Sequence, residues 1–261
     1  MIYDELLRVS ETKEDENKWK VKYGLIEYLK FDYPSRSDTV KKTLELNLVR
    51  ENLLMHPLPK ELKKISLDIG CATGRYVQYF ARNGFYACGY DINDCAIRVC
   101  KKKTADMKNV KIVKKNILEV PIEHEKYSIV TSMMGTFNHI ERQARGNFLE
   151  WVMGSLVKNG LFIVSLWNSE CSYVSYLQFY TREEREYLAK NSITCNKFVE
   201  ILKKSGFTVI DIKNFGYLPD ICYEDWMGEL KTEDIIKIDN NLRLSLKPRN
   251  SQMLLFLSIK Y

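Results

Sequence analysis

The chain has 261 residues, enough for one large domain or a domain with a lid, and enough to bury a core. With 45% hydrophobic and 28% charged residues it has an ordinary globular composition, and its net charge of +6 permits an anionic partner without demanding one. No apolar run approaches the roughly 20 residues of a membrane span. The first residues lack the basic and apolar regions of a signal peptide, and seven cysteines without a C-x-x-C pair read as reduced thiols. A cytoplasmic protein is expected.

In chain order, residues 11–22 are highly charged and read as a solvated stretch, and Asp32-Tyr33-Pro34-Ser35 reads as a turn. Asp38 is the expected N-cap of a helix through Met55, with Val40, Leu44, Leu48 and Leu53 on its apolar face. His56-Pro57-Leu58-Pro59 ends that helix. Tyr3, Tyr23, Tyr28 and Tyr33 either line a pocket or pack an amphipathic helix. Ile65–Ile69 is a short apolar run, the pattern of a buried parallel strand. Asp68, Gly70 and Gly74 then turn the chain into a helix over Arg75–Asn83, with Val77, Phe80 and Ala81 at helical spacing and Gly84 closing it. A second strand, Phe85–Tyr90, ends in Asp91, 23 residues after Asp68. A β-loop-α-β-acid unit of this kind is the layout that binds an adenosyl cofactor over the strand ends of an open α/β sheet.

The glycine spacing argues against a dinucleotide. A pyrophosphate-binding loop needs G-x-G-x-x-G, whereas Ala72 holds the middle position here and Arg75 the third. A carboxylate two residues before Gly70 would also repel a pyrophosphate, and it would attract a cationic amino group. The segment Asp68-x-Gly70-x-Ala72-x-Gly74 resembles motif I of the class I S-adenosylmethionine-dependent methyltransferases, with Ala72 in place of the usual middle glycine. The resemblance covers residues 62–168 most firmly and weakens beyond them. It implies a doubly wound, mostly parallel seven-stranded sheet with an antiparallel last strand, an α/β fold of the Rossmann-like methyltransferase type, plus a helical cap. The expected layout is an N-terminal helical lid segment over 1–60, a cofactor-binding core over 61–216, a cap insertion over 217–250 and a last core strand over 251–261.

Further along, Asn93 is the expected cap of a helix with Ala96, Val99 and Cys100, and Lys101-Lys102-Lys103 reads as its solvated basic end. Val110–Val113, Tyr127–Ser132, Leu161–Trp167, Phe207–Phe215 and Met253–Ile259 supply the remaining strands. Helices are expected over Ile140–Leu156, from the cap Thr194 to Lys204, and from Thr232. By the resemblance, Asp68, Gly70, Cys71 and Gly74 hold the methionyl end of S-adenosylmethionine, and Asp91 with Ile92 meets the ribose. Asn116 and Ile117 cradle the adenine, and Met133 and Phe137 complete the cofactor side. The end of the fourth strand, Ser132-Met133-Met134-Gly135, lacks the Asn/Asp-Pro-Pro-aromatic tetrad of base-amine methylation, and no proline precedes a cysteine, so no cytosine-C5 nucleophile is present. His139 is either a general base for the acceptor or a residue at the start of the next helix. Trp167-Asn168 faces the expected acceptor pocket, and aromatics at 173–180 and 217–226 suit a cap over a small acceptor. The leading reading is methyl transfer to N or O of a small molecule, with no metal, no nucleic-acid partner and no membrane, by a monomer or homodimer. An RNA- or protein-modifying methyltransferase and a non-catalytic S-adenosylmethionine-binding protein stand as alternatives.

Overall fold

A computed structural model describes residues 36–171, 182–218 and 229–261. Helix α1 (Arg36–Met55) leads into β1 (Ile65–Ile69), α2 (Arg75–Arg82), β2 (Tyr86–Asp91), α3 (Asp94–Lys103) and β3 (Val110–Lys114). Then follow β4 (Tyr127–Ser132), α4 (Arg145–Ser155), β5 (Leu156–Trp167), α5 (Arg182–Asn191), α6 (Cys195–Lys204), β6 (Thr208–Phe215), α7 (Thr232–Ser245) and β7 (Met253–Ile259). The strands form one seven-stranded sheet in the order β3-β2-β1-β4-β5-β7-β6. All pairings are parallel up to β5, and β7 runs antiparallel to both β5 and β6. This is the expected sheet, last strand included.

Successive side chains of a strand face opposite ways, so a strand buried on both sides is apolar throughout. In β7, Met253, Leu255 and Leu257 join one core while Leu254 and Phe256 join the other. The first core packs α1, α2 and Ile235 of α7; the second packs Phe148, Leu149 and Val152 of α4 with Phe198 and Leu202 of α6. β1 lies between β2 and β4, the point where chain order reverses across the sheet, and open α/β sheets bind ligands at that opening.

Three expectations change. Helix α1 begins at Arg36, so Asp38 lies inside it and is not its cap. The helix expected from Ile140 starts at Arg145, preceded by the 3-10 turns Thr136–His139 and Arg142–Ala144. The physical reason is that the Arg145 guanidinium takes the carbonyls of Asn138 and Ile140 at 3.1 and 3.0 Å, acceptors that a continuous helix would have used. Strand β5 starts at Leu156, which pairs with Tyr127 before an irregularity at Asn159, φ 62°; the turn expected at 158–160 is that bulge. Tyr3, Tyr23, Tyr28, Tyr33, the aromatics of 173–180, Pro219, Tyr223 and Trp226 lie outside the described residues.

The α2–α3 contact is tight. Gly74 precedes α2 at φ 89°, and a Cβ there would come within 2.4 Å of Cys100 Sγ on α3. Gly74→Ala therefore combines left-handed strain with a steric conflict and is expected to destabilise by about 2 kcal/mol in urea unfolding. Pairing it with Cys100→Ala should show favourable coupling; a Gly74→Ala protein as stable as the parent would refute the packing role.

Candidate functional site

The loop between β1 and α2 is fastened to β2 by its own backbone. Gly70 N and Cys71 N both donate to Tyr90 O, at 2.8 and 3.1 Å, and Gly74 N donates to Cys71 O at 2.8 Å. Gly70 has φ 73°, and a Cβ on it would strike the Thr136 side chain at 2.4 Å, so only glycine lets this loop and the end of β4 close together. Ala72 sits at φ 44°, a region that favours glycine, and its N–H donates to Asp91 Oδ2 at 2.9 Å. Asn93 N donates to Asp91 Oδ1 at 2.9 Å. Burial raises the Asp91 pKa, and these backbone donors oppose the rise.

Asp68 ends β1 in the register of Gly89 on one side and Thr131 on the other. Its Oδ1 accepts from Thr131 Oγ1 at 2.7 Å. Burial pushes the carboxyl up to about 7, against the pull of that hydrogen bond and of the nearby Arg75 guanidinium. Asp68 and Asp91 line one cavity of about 1990 Å³, together with Gly70, Cys71, Ile92, Asn116, Ile117, Met133 and His139. Two buried carboxylates and exposed loop backbone suit a ligand that offers an ammonium group and hydroxyls. They do not suit a polyphosphate.

Not every expected residue meets this cavity. Gly74 faces Cys100. Phe137 is fully buried in the second core, edge-on to Phe148 and Phe198 with centroids 5.6 and 5.0 Å away and the Arg145 guanidinium over its ring. The 3-10 turn Thr136–His139 points Phe137 inward and puts Thr136 on the cavity instead. Asn116 lines the cavity, but its Oδ1 already accepts from Leu118 N at 3.1 Å and its Nδ2 donates to Glu119. It caps the short turn Ile117–Glu119, which leaves one lone pair of that oxygen for a ligand. Cys71 is buried, and its hydrogen bond with Cys100 and its burial push its thiol pKa well up, so it fills space as a thiol. Asn168 is buried, with its Nδ2 donating to Ser251 O, and does not line the cavity. His139 does line it, with Nδ1 3.1 Å from Tyr187 Oη and its ring edge-on to Trp167. Burial lowers the imidazole pKa to about 4, which keeps it neutral at physiological pH.

The residue missed by sequence reasoning is Glu45. It lies on α1 beside Leu44, fully buried, and its carboxylate reaches four groups from three other elements. Oε2 accepts from Arg75 Nη2 at 2.6 Å and Tyr76 Oη at 2.9 Å. Oε1 accepts from Met134 N at 3.0 Å and from Ser165 Oγ. The signal was present: Val40, Leu44, Leu48 and Val49 make a buried stripe, and an acid within such a stripe needs partners.

Residues 67–160 match the family model of the methyltransferase domain. No match is found among curated protein sequences. Solved structures with the same fold include an S-adenosylmethionine-dependent methyltransferase from Mesorhizobium loti, 16% identical with a TM-score of 0.59 over 85% of this chain and 100% of that one. Another, from Archaeoglobus fulgidus, is 18% identical with a TM-score of 0.56 over 82% and 94%. Phosphoethanolamine N-methyltransferase 2 of Haemonchus contortus, solved with S-adenosyl-L-methionine, is 18% identical with a TM-score of 0.58; the match covers 82% of this chain and 52% of that one. The matched domain over residues 67–160 and the strand order give this chain a methyltransferase domain within a sheet of the Rossmann-like methyltransferase fold. Among the described residues no helix is long and apolar enough to cross a membrane, and no group of three or more His, Cys, Asp or Glu side chains is arranged to hold a metal ion.

Breaking a buried ion pair costs about 3–5 kcal/mol. Because the Arg75 side chain keeps 28% exposure, the lower end applies to Glu45→Ala, about 3 kcal/mol, with Tyr76 Oη losing its acceptor and Met134 N–H keeping Ser165 Oγ. Glu45→Gln keeps an acceptor oxygen and should lose less. A Glu45→Ala protein within about 0.5 kcal/mol of the parent in chemical unfolding would contradict this.

Proposed function

We propose that this chain is an S-adenosylmethionine-dependent methyltransferase that acts on a nitrogen or oxygen atom of a small-molecule acceptor, and that the two carboxylates flanking the β1–β2 crevice orient the cofactor for it. The observation that carries the reading is the convergence of Asp68, Asp91, Met133 and His139 on one cavity at the sheet's reversal point. When bound, the cofactor supplies an electrophilic methyl group on a sulfonium, a good leaving group. Asp68 and the backbone at Gly70 hold the amino-acid end. Asp91, already fixed by Ala72 N–H and Asn93 N–H, keeps lone pairs for two ribose hydroxyls. Ile92, Ile117 and the backbone around Asn116 flank the adenine.

The chain's main contribution is alignment, which can be worth about 7–11 kcal/mol when donor and acceptor are held in line. His139 is the acceptor-side group in this reading. With a pKa of about 4 its imidazole is neutral and a weak base at pH 7, so it orients an acceptor N–H or O–H and takes a proton only from an acceptor that becomes acidic on methylation. This favours an acceptor that arrives neutral over one that arrives as an ammonium ion. The missing base-methylation tetrad at 132–135 and the small-molecule chemistry named for the Haemonchus contortus enzyme support the choice of acceptor class.

Two measurements test the reading. An Asp68 carboxyl that holds its proton up to about pH 7 must release it to pair with an ammonium. Cofactor affinity is therefore expected to be constant above pH 7 and to weaken below it, by up to about tenfold per pH unit, with a proton released on binding near pH 6. Asp68→Asn should bind weakly at every pH. Affinity that stays level between pH 5.5 and 8 in calorimetry would remove Asp68 from the amino-acid end. For the acceptor, S-adenosylhomocysteine formation should be followed across small amines, alcohols and carboxylates and, separately, total RNA. Turnover of a small molecule with little salt dependence is expected. Turnover confined to RNA, and falling steeply between about 50 and 200 mM salt, would overturn the assignment.

A further inference from the structure

The cavity is about twice the upper end of the range that one drug-sized ligand fills, about 300–1,000 Å³. Its surplus lies between α1 and α2, away from the crevice, and runs from Arg75 at the start of α2 to Arg82 at its end. At 1.5 Å per residue that path is about 12 Å long. Its floor is apolar, made by Leu46, Leu53, Leu58, Tyr79 and Phe80. Its far rim carries Arg50, Lys60, Lys64 and Arg82, all exposed. None of the four is ion-paired among the described residues. Arg50 lies over the Tyr79 ring at 5.5 Å, Lys64 over the Phe85 ring at 5.7 Å, and Arg82 reaches only Gln78, at 3.5 Å. The acids that line the cavity, such as Asp68, Asp91 and Glu119, belong to its other end. Glu51, next to Arg50 in sequence, is paired with Lys213.

We propose that this groove is a second binding site, for an anionic amphiphile: an elongated apolar body that ends in a phosphate, sulfate or carboxylate. An apolar trough about 12 Å long takes the body, and the four cations at its end, without an ion-pair partner among the described residues, take the charge. A single-stranded nucleic acid fits less well, because it needs open aromatic faces for stacking. Here Arg50 and Lys64 cover the Tyr79 and Phe85 rings, and Phe85 is itself buried. Nothing in this assignment depends on which acceptor is methylated.

Decyl phosphate, kept below its micelle concentration, is the probe, with decyltrimethylammonium and inorganic phosphate as comparisons in calorimetry. The parent protein should bind decyl phosphate saturably and more tightly than either comparison, and added salt should weaken binding. The triple variant Arg50→Gln/Lys64→Gln/Arg82→Gln should weaken it at least tenfold while S-adenosylmethionine affinity stays unchanged, which reports an intact core. Leu46→Asp should weaken decyl phosphate as well, through the floor. Equal binding of the cationic detergent, equal binding of inorganic phosphate, or an unaffected triple variant would each overturn the proposal. So would binding confined to phosphatidylglycerol vesicles, which would assign the cations, with Leu54 at 82% exposure beside them, to a membrane surface.

Discussion

A single carboxylate, that of Glu45, holds the cavity's walls in register. Its two oxygens accept from Arg75 and Tyr76 at the start of α2, from the Met134 backbone after β4 and from Ser165 on β5. These groups lie up to 120 residues from Glu45 in the chain, and α1 adds the Lys42 carbonyl, which accepts from Arg75 Nη1 at 3.0 Å. A buried charge is tolerated only when it is paired and fully hydrogen-bonded, because its desolvation is expensive. Glu45 meets that condition with four donors, one of them cationic. The same requirement makes the arrangement selective: a shift of α1 by one helical turn would leave the carboxylate without partners in an apolar layer. The Glu45→Ala and Gly74→Ala variants thus probe two different fixings of α2, one to the helix before it and one to the helix after it.

Much of this was legible in the sequence, and the reasons are local. Strand β7 announced itself because both faces are buried and its run is nearly all apolar, and β1, β2 and β4 because each carries a short apolar stretch buried on both faces. Asn93 and Thr194 were readable as caps because each side-chain oxygen accepts from a helix N–H, Asn93 from Cys95 and Ala96 and Thr194 from Lys197. Asp68, Gly70 and Asp91 were readable because spacing along a strand-loop-helix unit fixes where they emerge. What failed was whatever depended on a partner far away in sequence. Ile140 to Ala144 has helical composition, and only the reach of Arg145 to carbonyls at 138 and 140 breaks it. Phe137 carries the periodicity of neither element, and its direction follows from that break. Glu45 looked like one more charge on a charged helix until its four partners were assembled around it.

The acceptor side was legible least, for a different reason. Residues that shape an acceptor pocket answer to the acceptor, and no rule of secondary structure dictates them. His139 illustrates this. Its place in the chain fitted either a base or a helix start, and the fold sets it at the end of a 3-10 turn, packed against Trp167 and in contact with Tyr187. Burial there lowers the imidazole pKa to about 4 and leaves a neutral ring with a hydrogen-bonding edge.

Electrostatics then divides one cavity into two ends of opposite sign. At the crevice, Glu45, Asp68 and Asp91 are three carboxyl groups served by one guanidinium, that of Arg75. With all three ionised the excess is two negative charges, and burial relieves part of it by letting Asp68 hold a proton. A ligand that brings both an ammonium and a sulfonium supplies the missing positive charge and removes the reason for that proton. The crevice is therefore tuned by desolvation to be uncomfortable when empty of cation and comfortable when filled. At the other end the imbalance is reversed, with four cations and, among the described residues, no acid paired with them. Exposed charges cost little when solvated, so those cations carry no comparable penalty and are held in place by the aromatic rings beneath Arg50 and Lys64. The two ends consequently select by different means: the crevice through the protonation state of a buried acid, the groove through the length and sign of what lies in it.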